Sequence, residues 1–114
     1  MLDPYLKGRM PSEPLFLKAA AAEYLHWADW LEKHPFTTQV RANFVEEIET
    51  AVYAAAEHPH RYPLEGWKDF RRVGPTPIYK FKIVYAVREE TVLIVAVSHP
   101  SRRPRYWTRR KLTS

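Results

Sequence analysis

At 114 residues, 46% of them aliphatic or aromatic, the chain is sized for one domain with a modest two-layer core and is too short for two. It contains no cysteine, which excludes disulfides, thiolate catalysis and cysteine-based zinc sites, and it has no apolar run near the ~18–20 residues of a membrane span. Its net charge of +5 is unevenly spread: residues 1–67 carry six Lys/Arg against ten Asp/Glu, residues 68–114 twelve against three. That asymmetry predicts an acidic-to-neutral layer and a basic layer. The basic layer suits nucleic acid, or an acidic protein that imitates or masks it.

In chain order, Met1–Pro14 reads as a flexible arm with prolines at 4, 11 and 14. It has no apolar signal core, so a cytoplasmic protein is expected. Leu15–Lys18 is either a short strand or a first helical turn, which four residues cannot distinguish. From Ala19 the apolar residues Ala20, Tyr24, Trp27, Ala28 and Leu31 recur at three- and four-residue steps, the stripe of an amphipathic helix. Pro35 ends it, since proline cannot donate to the helical ladder. Thr37 or Thr38 caps a second helix, with Val40, Phe44, Ile48, Ala51, Val52 and Ala55 as its stripe and Glu46, Glu47 and Glu49 on a solvated face. It stops before His58-Pro59, and the short link between the helices predicts an antiparallel hairpin.

Pro59–Gly66 is a loop, in which His58-x-His60 lacks a carboxylate at helical spacing, so no metal site is expected. Strands follow at Phe70–Val73 and, after the turn Gly74–Pro77, at Ile78–Val87. In the latter, Tyr79, Phe81, Ile83, Tyr85 and Val87 alternate with Lys80 and Lys82. Glu89-Glu90 closes a hairpin to Thr91–Ser98, apolar on both faces and therefore central. Arg102–Ser114 is basic, with room for a short helix. The predicted fold is α+β: an α-hairpin on one face of a small, mainly antiparallel sheet.

The chemistry concentrates where the last strand opens into His99–Trp107. Lys80 and Lys82 are predicted to share a strand face, and Lys82 to lie opposite Ala96, which brings Arg102 and Arg103 near. Four cations would then surround a phosphate-sized concavity, and Tyr106 and Trp107 would offer planar faces for a base. Metal-free RNA cleavage needs proton carriers and cations at the phosphorane. His99, Tyr106 or a lysine can fill the first role, Arg102 and Arg103 the second. Each also has a structural reading: His99-Pro100 ends a strand, and Tyr106-Trp107 packs the tail onto the sheet. There is no phosphate loop or dinucleotide fingerprint, and no cofactor is expected.

Four pieces, taken in order, resemble the RelE/ParE superfamily of toxins from bacterial type II toxin–antitoxin modules. Ala21-Ala22-Glu23-Tyr24-Leu25 is similar to its A-x-x-D-L, with Tyr24 for the acid. Glu57–Pro63 is similar to its proline-rich loop, and Lys82–Val87 to its R-I-x-Y-x-V strand. Val95–Trp107 is similar to its closing strand with H-x-x-R, and the ending H-x-x-R-x-P-x-Y-W is similar to plasmid-stabilisation, ParE-type members. The resemblance implies a single toxin domain over residues 15–107, between the arm 1–14 and a basic tail 108–114, with Leu15–Lys18 as the first strand. It also implies neutralisation by an acidic antitoxin whose tail folds around the toxin.

One branch of that family cleaves mRNA on the ribosome, and another poisons DNA gyrase without being a nuclease. By position, the resemblance gives Lys82, Arg102 and Tyr106 as catalytic residues of the first branch. Lys80, His99, Arg103, Arg105 and Trp107 are left to bind nucleic acid or antitoxin. An inactive member serving as a binding or autoregulatory partner is the third reading. No membrane partner is expected.

Overall fold

The computed structural model describes residues 13–33 and 37–112, so the predicted arm lies almost wholly outside the described residues. Six elements follow one another: β1 Leu15–Phe16, α1 Lys18–Lys33, α2 Thr38–Glu57, β2 Arg71–Val73, β3 Lys82–Arg88 and β4 Thr91–Ser98. The sheet runs β1-β4-β3-β2. β1 pairs parallel to β4, whereas β3 is antiparallel to both its neighbours. Two helices on a four-stranded mixed sheet make the expected α+β architecture.

The helices form for the reasons the sequence carries. Thr37, in extended backbone, caps α2 by accepting the Val40 N–H at 3.3 Å, and the His58 N–H closes its C-terminus on the Ala54 carbonyl. The stripes are buried at Ala20 and Ala28 on α1 and at Phe44, Ile48, Ala51, Val52 and Ala55 on α2. α1 packs over β4, and α2 over β2, β3 and β4.

Ile83–Ala86 and Ile94–Val97 are continuously buried, so both faces of the two central strands are covered. Part of that cover is the C-terminal segment. Trp107, 1% exposed, is in the core and stacks on Phe70 at 5.5 Å. Leu112 packs against the same core, so the segment after Trp107 lies on the domain.

Three features of the sheet differ from the sequence reading. The run predicted as a strand from Ile78 pairs only from Lys82, and the first strand of the set begins at Arg71. Before Lys82 the chain turns: the Lys80 N–H reaches the Thr76 carbonyl, and Lys80 adopts φ +64°. Competing acceptors cause this. Glu47 of α2 takes the N–H groups of Ile78 (3.1 Å) and Tyr79 (2.8 Å), and the buried Thr76 hydroxyl takes that of Phe81 at 3.0 Å. Those donors therefore bypass a ladder, and Lys80 shares no strand face with Lys82. Gly74, at φ +110°, makes the turn possible: a Cβ there would lie 2.6 Å from the Phe81 carbonyl oxygen.

The register also differs. Lys82 faces Ser98 rather than Ala96, because Arg88 pairs with Thr91 and the ladder shifts at Val84/Tyr85, leaving Val95 as an extra residue. At the tip, Glu89 (φ 50°) and Glu90 (φ 65°) both occupy positive φ, the demand of a tight two-residue hairpin, although neither is glycine or asparagine. Glu89→Asn with Glu90→Gly should raise stability by about 1–2 kcal/mol, read by denaturant unfolding. An unchanged midpoint would mean the tip carries no strain.

Candidate anion-binding site

The turn before β3, the start of β3 and the loop after β4 converge on one cleft of about 320 Å³. Lys80 enters from the turn, Lys82 from the start of β3, and Arg102, Arg103 and Arg105 from the loop after β4. Ser98, His99 and Trp107 complete much of the lining. Lys82 and Arg102 line the cleft, whereas Tyr106 is off its wall and reaches it only through the contact of its ring with Arg102. Among the described residues, none of the five cations has a carboxylate partner. Glu65, the one carboxylate on the wall, pairs instead with Arg72 at 3.2 Å. Among the described residues the cleft is therefore a concentrated positive field.

The Arg102 guanidinium carbon sits over the Tyr106 ring, 3.8 Å from its centroid, a cation–π contact that holds the guanidinium at the cleft. The Tyr106 hydroxyl donates to Glu23 of α1. Burial, reinforced by that carboxylate, raises the phenol to about 12. It remains protonated at neutral pH.

His99 is stacked on Trp27 at 4.1 Å and meets Phe81 edge-on at 5.3 Å. Its Nδ1 accepts the Ser101 N–H at 3.0 Å, which leaves the proton on Nε2. Burial lowers its pKa below the usual imidazole value, so it adds no cation at neutral pH. Trp107 has its ring against Phe70 within the core.

The sequence reading missed Glu23. Its carboxylate accepts the Val97 N–H at 3.0 Å and the Tyr106 hydroxyl, and holds Arg110 through both guanidinium nitrogens at 3.0 and 2.9 Å. Arg110 also donates to the Val95 carbonyl at 2.9 Å. β1 pairs with β4 only at Leu93 and Ile94. Beyond them, Glu23 and Arg110 satisfy edge groups of β4 that a longer β1 would have paired. The same clamp fastens the C-terminal segment and orients the ring beneath Arg102. The helical spacing Ala20–Glu23–Trp27 placed this carboxylate beside the buried stripe, which was the available signal.

A larger groove of about 660 Å³ lies on the other side of the Gly74–Ile78 turn, against α2. Pro75 lines both cavities. Among the described residues no group of three or more His, Asp or Glu is placed to hold a metal ion, and no helix is long and apolar enough to cross a membrane.

An α-hairpin on a short mixed sheet, with a cationic cleft at the end of its closing strand, defines a small α+β protein with its positive charge gathered at one place. The family model of the ParE toxin of type II toxin–antitoxin systems, parDE, matches residues 15–104. The chain belongs to this family of toxins, a membership that implies an antitoxin partner. No curated protein matches the chain.

Proposed function

We propose that the protein is a cytoplasmic, growth-inhibiting toxin, neutralised by an acidic antitoxin, that acts on DNA gyrase by binding and not by cutting RNA. The observation that carries this reading is the division of labour around the cleft. Among the described residues five cations stand without carboxylate partners, while His99 and Tyr106, two of the three kinds of candidate for proton transfer, are engaged elsewhere. A phenol held near 12 and hydrogen-bonded to a carboxylate is a poor base at neutral pH, and an imidazole that is neutral and stacked on Trp27 supplies no imidazolium. Arg102, Arg103 and Lys82 are then binding groups for an anionic surface of the target, and the same cations attract the antitoxin.

Ribosome-dependent mRNA cleavage is the second reading, favoured by Arg102, a guanidinium held in place where a phosphorane could be stabilised. A paired assay separates the two. The purified chain goes into a reconstituted translation reaction with labelled message, and into a supercoiling reaction with gyrase, relaxed plasmid and ATP. The expected result is blocked supercoiling or trapped cleaved plasmid with the message intact. Codon-defined cleavage that requires ribosomes would replace this reading with the nuclease. Silence in both would leave an inactive member that serves as a binding partner.

A further inference from the structure

Two of the five cations in the cleft sit in backbone that their side chains disfavour. Lys80 has φ +64° and Arg105 φ +59°, the left-handed region where glycine and asparagine are at home. Such conformations persist only where the surroundings impose them, and they gather at binding sites. At Lys80 the contacts that impose it are seen, and at Arg105 the side chain is held close to the backbone. The Lys80 turn is fixed by Glu47 on the N–H groups of Ile78 and Tyr79, and by Thr76 on Phe81. The Arg105 guanidinium lies over Gly66, where a Cβ would come within 3.2 Å of it. Neither cation has a carboxylate partner among the described residues, and both line the same cleft.

We propose that Lys80 and Arg105 form a pre-positioned binding site for a phosphate-type anion, distinct from the Arg102–Tyr106 pair, with Glu47 as the residue that positions Lys80. The proposal rests on the cleft being an anion-binding surface. Lysine supplies a point charge and arginine a planar fork, a pairing that suits a tetrahedral oxyanion. Fixing both beforehand reduces the ordering that binding must otherwise supply.

The test uses the full chain, with inorganic pyrophosphate and a twelve-residue oligothymidylate as probes, followed by amide NMR titration and thermal unfolding. Glycine at either position removes the charge and relieves the backbone together. Lys80→Gly and Arg105→Gly are therefore each expected to weaken pyrophosphate about fivefold or more while raising the melting temperature by a few degrees. Lys80→Ala should weaken binding alike without the thermal gain. Glu47→Ala should weaken it in the native background, yet add nothing to Lys80→Ala. Lys33→Ala, on the exposed end of α1, should leave binding unchanged.

Tighter, salt-sensitive binding of the oligothymidylate would identify a nucleic-acid backbone as the source of the phosphate. Binding of pyrophosphate alone would identify a free phosphate. Affinity unchanged in both glycine variants, but lost in Lys82→Ala, would overturn the Lys80–Arg105 site and leave the cleft reading standing. No binding of either anion to the native chain would remove both.

Discussion

Replacing Glu23 with alanine is expected to lower the melting temperature by on the order of 10–15 °C, the largest stability loss of any single substitution at the site. The carboxylate side chain is 14% exposed and that of Arg110 20%. Deleting it leaves a largely buried guanidinium, the Val97 N–H and the Tyr106 hydroxyl without their acceptor. Breaking a buried ion pair from one side costs about 3–5 kcal/mol, because the remaining charge stays desolvated. Glu23→Gln keeps an acceptor for Val97 and loses only the charge, so it should cost roughly half as much. The segment that Arg110 fastens should loosen with it, and trypsin should then cut at Arg109–Lys111 well below the unfolding temperature. An alanine variant that melts with the native protein would show that the clamp carries no stability.

Replacing Lys82, Arg102 and Arg103 together with alanine is expected to abolish growth inhibition while the fold survives. Arg102 and Arg103 are exposed, Lys82 lies at the very start of β3, and none has an ion-pair partner among the described residues. Little native-state energy is therefore lost. Each charge-assisted contact to an anionic partner contributes about 1.5–3 kcal/mol, so losing three weakens target binding by at least about a thousandfold. Antitoxin association should weaken as well, mainly through a slower and less salt-dependent on-rate. The checks are colony formation on induction and antitoxin binding at two salt concentrations. Undiminished toxicity in the triple variant would remove the cleft from the mechanism.

Much of this arrangement was legible in the residues. Thr37 and His58-Pro59 bound α2, because each acts through local backbone chemistry, and Pro35, which the sequence places after α1, lies outside the described residues. The central position of Thr91–Ser98 followed from its apolar run, and the concentration of cations after it from simple charge counting. What escaped notice depended on contacts distant in the chain. The strand predicted from Ile78 begins at Lys82, because Glu47, thirty-one residues earlier, captures the Ile78 N–H. The sequence pattern alone puts that carboxylate on a solvated face. The extra residue at Val95 leaves no trace where every neighbour is apolar, so the register slipped. The left-handed backbone at Lys80 and Arg105 was invisible because neither is glycine or asparagine. Trp107 suited both a stacking platform and a core anchor, and it lies in the core. Glu23 lies within Ala21–Leu25, but its partners lie more than seventy residues away.

The central claim is that the cleft binds its target and performs no chemistry, and Tyr106→Phe tests it most directly. The substitution keeps the ring beneath Arg102 at 3.8 Å and removes only the hydroxyl that donates to Glu23. Growth inhibition on induction is measured beside antitoxin binding and thermal unfolding. The predicted result is inhibition equal to that of the native chain, with about 1–2 kcal/mol of stability lost with the hydrogen bond. A hundredfold or greater loss of inhibition in a variant that still folds and still binds antitoxin would contradict it, and would make the phenol a participant in catalysis.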